Sequence, residues 1–453
     1  MTMPEYMSLI AARWETIGLL FAVLGTATFH IPDDDPVFTH NPWNIDRRQL
    51  RNISVAVSEI CCQFCNHSGF TSDPLCWLVT QQTVLLTLMA GKSDFRTWQK
   101  LGDLSTITYA IGLHRPSSNL EEKCPFFLAE IRKRVLACAY SLDKELATTL
   151  GLPPRICSRY CCIELPLDLS YEEIIATPSE VEQALQSLDP NGWNIKGSLT
   201  LEVRLRIALL TSFMRENILE LSMSHQTDDL LDRVEKMIKD SREMQQALPL
   251  FLRWTPSESE SNFANESRSL THLEFTYQEF LLYRIVLKRL EIKLQGLIDT
   301  SCEIISTLLN LTTLRTRSAK SMQDVSWDLC YMGLPAAGIL TTELLNKQST
   351  ATQLPIHSRS QMIQKLSIFV SHLKSFIEPH EGIYEVAQQG ASIICKVLDQ
   401  VLSVGSLESV ALASGTDWPE NWFGNENLDI GEDDLMPWLE NIGWGQDPWL
   451  YFT

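Results

Sequence analysis

Apolar positions recur along most of this chain at helical spacing, with almost no alternating strand-type stretch, and predict a succession of helices. The first spans 7–29. A loop over 30–46, punctuated by Pro32, Pro36 and Pro42, leads to helices over 47–66 and 77–90. The second of these pairs with 97–111 as a helical hairpin across the turn Gly91-Lys92-Ser93-Asp94. In 97–111, Leu101, Leu104, Ile107, Thr108 and Ile111 share one face; Gly112 supplies the stop, and Pro116 prevents a restart. A helix with a charged start covers 127–149, after which Pro153, Pro154 and Pro166 impose an extended, irregular stretch ending near residue 170. Helices return at 171–187, 198–224 and 227–246. Residues 255–269, rich in Ser, Glu and Asn, read as a flexible surface loop. Helices follow at 270–298, 299–317, 326–347 and 361–377, the last with a wide apolar stripe from Ile363 to Ile377, and 383–404 closes the body. No repeat of fixed period is visible. The pattern predicts an all-α fold, a large irregular helical domain built from helical hairpins.

After Gly405 the character changes, which divides the chain into a body over 1–405 and a tail over 406–453. From Asp417 onward the tail concentrates Trp418, Trp422, Phe423, Leu435, Trp438, Leu439, Trp444 and Trp449 among nine acidic residues, with no Lys or Arg. Pro419, Pro437 and Pro448 break any long helix there. Bulky apolar groups interspersed with carboxylates stay solvated because the charges resist collapse, the signature of a disordered activation region. A partner with a basic-rimmed apolar groove would take a few of these side chains as a short induced helix. The competing reading folds the tryptophans back onto the body.

The formal net charge is −19. An acidic chain repels a phosphate backbone and lacks the counterion release that drives DNA affinity, so direct DNA binding by this sequence is not expected. The twelve cysteines sit mostly inside apolar helical runs, as free thiols of an intracellular protein do. The apolar run from Ile17 to Ala27 is too short to span a bilayer, and Glu15 beside Arg13 is unlike a signal peptide's basic start. No membrane association is expected.

The order of three segments is the most specific feature: Trp98–Arg115 as an apolar-faced helix with its stop, Glu130–Asp143 as the charged-start helix, and Leu150-Gly-Leu-Pro-Pro154 as the turn that ends it. In that order and at that separation they resemble the middle homology region of fungus-specific transcription factors, regulators that usually carry an N-terminal zinc binuclear cluster. Arg13–Ala22, Leu248–Trp254, Tyr277–Arg284, Gly333–Leu345 and Leu366–Val370 are similar to further segments of the family, in family order. Two departures are local: Leu136 and Ala137 stand where the family has an aromatic pair, and Gly151-Leu152-Pro153 replaces its Gly-Arg-Pro turn. A third is larger. The cluster needs thiolates spaced Cys-x2-Cys-x6-Cys, and no such spacing occurs in this sequence.

The resemblance implies a nuclear regulator of transcription by RNA polymerase II, serving a biosynthetic or catabolic gene set, with no enzymatic activity and no cofactor. It would reach DNA only indirectly, or through a zinc cluster that this sequence lacks, and would bind a coactivator or another regulator as a homo- or hetero-oligomer. Trp418, Trp422, Phe423, Leu435, Trp438, Leu439, Trp444 and Trp449 are the expected partner-binding residues. The alternative is a non-DNA-binding interaction or ligand-sensing protein that modulates a full-length regulator.

Other candidate chemistry reduces to simpler readings. Cys62-x2-Cys65-x-His67 falls short of the four ligands of a structural zinc site, and buried thiols are the simpler account. Asp33-Asp34-Asp35 is similar to the magnesium-binding carboxylates of isoprenoid enzymes, but flanking Pro32 and Pro36, with Val37 and Phe38 at the next-turn positions, favour a solvated turn. His114-Arg115 places cations at a helix C-terminus. Arg132, Lys133 and Arg134 are expected in intramolecular ion pairs, with Glu130 one turn before Arg134 and Asp143 on the same side as Arg132. No phosphate loop, His-Glu-x-x-His motif or nucleophile elbow is present, so no catalytic residue is assigned.

Overall fold

Each apolar stripe needs a partner to shield it, and the helices meet as hairpins and crossings that do so. A computed structural model of the chain describes residues 1–31, 35–39, 45–116, 124–197, 199, 201–224, 228–254, 262–318, 323–345, 359–377 and 381–411. Asp33, Asp34 and the tail residues Trp418, Trp422, Phe423, Leu435, Trp438, Leu439, Trp444 and Trp449 lie outside them. Among the described residues the chain is all-helical, and its one strand-like pairing is an isolated bridge between Leu188 and Asn194.

The N-terminal half follows the predicted order. The expected helix over 7–29 is instead two, α1 (Met3–Ile10) and α2 (Trp14–Ala27), set at 105° because Arg13 is extended. A short α3 (Pro36–Thr39) precedes α4 (Arg47–Ser68). Asp46 caps α4 by accepting from the Gln49 N–H at 2.7 Å, while Gln49 Oε1 accepts from the Asp46 N–H at 3.1 Å. Ser72 caps α5 (Asp73–Ala90), and Asp94 caps α6 (Phe95–Ala110). The long α7 (Phe126–Leu150) ends at Gly151, whose φ of +65° only glycine adopts without strain. An irregular segment with one 3-10 turn (Ser158–Tyr160) follows. The helix expected over 171–187 is split into α8 (Tyr171–Ile175) and α9 (Pro178–Leu185), because Pro178 starts a new helix behind Thr177.

The C-terminal half holds α10 (Leu201–Met223), α11 (Leu230–Ala247), α12 (Asn262–Leu290) and α13 (Gln295–Ser318). Two expectations are corrected. Residues 262–269, read as loop, form the first turns of α12; the rest of that stretch lies outside the described residues. The α12–α13 break falls after Leu290, not at 298, because Glu291 takes φ +56° and ends the helix without a Gly or Pro signal. Then come α14 (Gln323–Asp328), a π turn (Leu329–Gly333), α15 (Leu334–Leu345), α16 (Arg359–Phe376) and α17 (Tyr384–Ala411).

Three apolar cores result among the described residues. One gathers α2 and α4–α7 around Leu78, Leu101, Leu104 and Tyr140. Its tightest contact is α2 against α4 and α5. A Cβ on Gly18 would stand 2.7 Å from Cys61 Cβ and 2.8 Å from Leu78 Cδ2. The largest core joins α12, α13 and α15–α17 around Phe280, Leu308, Leu340, Phe369 and Ile394. A small one surrounds Trp193, Ile207, Met214 and Phe275. Helix α10 contributes to all three, through Leu209, through Ile218 and Leu221, and through Ile207 and Met214.

Candidate functional site

The charged start of α7 pairs within the protein, to α5 and to the segment before α8. Arg132 donates from Nε and Nη2 to the two carboxylate oxygens of Asp73, at 2.6 and 2.9 Å. Lys133 lies 3.5 Å from both Glu130 and Glu164. Arg134 is buried, donates to the Leu169 carbonyl and stacks over Tyr171 at 4.6 Å. Buried Glu130 accepts from the Leu167 N–H at 2.6 Å. These bonds pin the extended segment before Ser170 along α7, so the expected intramolecular roles are what the structure places there. Asp143, sequentially on the same side as Arg132, does not pair with it. It turns to the segment after α7, accepting from the Arg155 and Ile156 N–H groups at 2.8 and 3.0 Å and from Lys144 Nζ at 2.7 Å.

The remaining sequence candidates are structural in their surroundings. Cys61, Cys62 and Cys65 are buried, and Cys62 Sγ donates to Gln82 Oε1 at 3.0 Å. Burial pushes the Cys62 thiol up to about 12 and Cys65 up to about 11, so neither offers a thiolate near neutrality. His67 is exposed on the last turn of α4. Among the described residues, no group of three or more His, Cys, Asp or Glu is placed to hold a metal. His114 packs edge-on against Tyr109 at 5.2 Å, and its carbonyl accepts from the Cys162 N–H at 2.9 Å.

A polar cavity of about 90 Å³ lies where the first and largest cores adjoin. Helix α7 lines it with Ser141, Lys144, Glu145 and Thr148, and α10 with Ala208, Thr211, Ser212 and Arg215. Both sets have the spacing i, i+3, i+4, i+7, so each helix offers one continuous face. Helix α12 adds Glu274 and Tyr277, the π turn adds Tyr331 and Met332, and the α5–α6 turn adds Lys92.

Most of these charges are committed to each other. Lys92 Nζ donates to Glu145, and the Lys92 N–H donates to Tyr331 Oη at 3.1 Å. Burial disfavours the Lys92 ammonium, but Glu145 outweighs it and holds the group above its ordinary value. Lys144 is bound by Asp143 and the Ile156 carbonyl, and lies 4.0 Å over the Tyr140 ring. Beside Lys144, Tyr140 donates to Glu216, which also accepts from the Ser158 N–H at 3.1 Å. Burial opposes the Glu216 charge, yet Tyr140 and Ser158 hold its carboxyl below the usual range.

Arg215 and Glu274 form the loosest pair in the lining, and Arg215 also lies 5.0 Å over the Tyr277 ring. Arg215 is 7% exposed and donates from Nε to Gln278 Oε1 at 2.8 Å. Its Nη2 stands 3.8 Å from Glu274 Oε2, beyond hydrogen-bond reach. Burial pushes the Glu274 carboxyl above its ordinary value, with Arg215 opposing and Glu145 adding to the rise. Ser141 Oγ is buried without a hydrogen-bond partner.

Sequence reasoning missed this cavity. The available signal was the pair of polar stripes, Ser141-Lys144-Glu145-Thr148 and Thr211-Ser212-Arg215, each at helical spacing.

Residues 67–201 match the model of the fungal specific transcription factor domain, which covers α5 to α9 and the clamp around Glu130 and Arg134. No curated protein and no solved structure matches the chain. No single helix among the described residues is long and apolar enough to cross a membrane.

Proposed function

We propose that this chain, with a fungal specific transcription factor domain over residues 67–201, is a nuclear regulator of transcription by RNA polymerase II that serves a biosynthetic or catabolic gene set. The domain match is the observation that carries this reading. It coincides with the segments Trp98–Arg115, Glu130–Asp143 and Leu150–Pro154 that resemble the family in the sequence. The helical body over 1–405 regulates, and the tail over 406–453 recruits. With a net charge of −19, the chain reaches DNA through a partner protein or through a zinc cluster outside this sequence. Trp418, Trp422, Phe423, Leu435, Trp438, Leu439, Trp444 and Trp449 contact the coactivator, each weakly and exchangeably, because an ordering cost accompanies every contact.

The test fuses residues 410–453 to an unrelated DNA-binding module upstream of a reporter. Activation is expected, with Trp438→Ala and Leu439→Ala together lowering it. A fusion no more active than the module alone removes the recruiting role.

The polar cavity favours a second reading, in which the chain senses a ligand and modulates a full-length regulator without binding DNA. That reading requires a stable heteromeric complex with such a regulator and an inactive tail fusion.

A further inference from the structure

We propose that the cavity between α7, α10 and α12 binds a small zwitterion of the α-amino-acid class, with Arg215 taking its carboxylate and Glu274 its ammonium. Of the five donors of a guanidinium, the protein engages the Arg215 Nε–H; the η nitrogens make no hydrogen bond within the structure. The guanidinium also lies 5.0 Å over the Tyr277 ring, and its planar fork, with both η nitrogens uncommitted to hydrogen bonds, matches a carboxylate with two parallel bonds. Across the gap, Glu274 makes no hydrogen bond to the protein and stands 3.8 Å from Arg215. In an α-amino acid the ammonium and the carboxylate are separated by one carbon, a spacing suited to that gap. Ligand and protein then form a closed ring of four alternating charges.

The rest of the lining agrees in sign and size. A simple anion would face both Glu274 and Glu145, and a simple cation would face Arg215 and Lys92. Lys92 with Glu145, and Lys144 with Asp143, are already satisfied, which leaves Arg215 and Glu274 as the recognition pair. Thr148, Thr211 and Ser212 spend their hydroxyl protons on carbonyls of their own helices, at 2.7, 3.0 and 2.6 Å. Their oxygens stay available as acceptors for an ammonium, and the unpartnered Ser141 hydroxyl completes the polar wall. A space of about 90 Å³ holds several waters, or a molecule of roughly five to ten heavy atoms, and is below the size of a drug-like site.

The inference rests on the ligand-sensing reading of this cavity, and its test is separate from the tail-fusion assay because binding is measured on the purified full chain. Calorimetric titrations would compare L-alanine with propionate, which lacks the ammonium, and ethylamine, which lacks the carboxylate. L-Alanine is expected to bind saturably, at least about tenfold tighter than either, and to raise the thermal unfolding midpoint. Glu274→Gln keeps the shape of a partly exposed side chain and should erase the advantage of alanine over propionate. Arg215→Gln should abolish alanine binding, with its unfolding curve checked in parallel. Absence of alanine binding, equal binding of all three probes, or an alanine preference that survives Glu274→Gln would each overturn the proposal.

Discussion

Arg132 and Asp73 form a fork-to-fork pair, Nε to Oδ1 at 2.6 Å and Nη2 to Oδ2 at 2.9 Å, which fastens the second turn of α7 to the first residue of α5. Both side chains are largely shielded, at 19% and 13% exposure. Lysine carries the same charge on a single nitrogen and cannot reproduce the two parallel bonds. Arg132→Lys should therefore destabilise the protein by about 1–3 kcal/mol in urea unfolding. A change within experimental scatter would mean that the fork contributes nothing.

Asp143 and Lys144, both at 0% exposure, are tied together with two backbone N–H groups of the following turn. Removing the carboxylate strands an ammonium in the interior. Asp143→Ala should cost about 3–5 kcal/mol, and adding Lys144→Met should recover part of it, since the stranded charge is then gone. A double variant less stable than the single would contradict this account.

Gly18 sits where α2 crosses α4 and α5, with no room for a methyl group against Cys61 and Leu78. Cys61 Cβ is bonded directly to the α4 backbone, so it yields only by shifting the helix. Gly18→Ala should lower stability by about 1–3 kcal/mol by calorimetry, despite alanine's better helix propensity. An increase in stability would show that α2 moves freely.

Glu274 gives a pH test. Its folded-state pKa is raised, so the folded protein binds a proton more tightly than the unfolded chain does. Stability is then fullest below the ordinary carboxylate range and declines as pH rises through the raised folded value. Glu274→Gln should make the protein more stable at neutral pH, with the difference vanishing in acid. Glu216 has the opposite sign: its pKa is lowered, so its contribution is present above the usual carboxylate range and is lost as pH falls through the lowered value. Glu216→Gln should flatten the acid limb of the stability profile. Urea titrations across pH check both.

Much of the body was legible in the sequence. Strong periodicity located α4, and stop residues also located α6 and α7, because Gly112 and Gly151 take positive φ where the pattern ends. The misplacements share a cause. Glu291 ends α12 in a left-handed conformation without the glycine that usually marks it, and Arg13 breaks the first segment without a proline. The Ser- and Asn-rich start of α12 reads as loop by composition, whereas Ser267 and Ser269 are buried in the helix. The π turn from Leu329 to Gly333 left no trace, since one extra residue in a turn hardly disturbs an apolar run. The cavity stayed hidden because isolated charges such as Arg215 and Glu274 look like solvated surface until the third helix closes over them. The partner-binding residues from Trp418 to Trp449 lie beyond the described residues and rest on the sequence alone.

Helix α10 plants side chains in all three cores and carries Arg215 on the face between them. Such a helix works as a shared axle. Packed interiors tolerate two discrete arrangements better than gradual deformation, so a rotation of α10 that brings Arg215 toward a guest would have to re-register three interiors together. Occupancy of one small chamber would then be felt on both sides of the molecule in a single step.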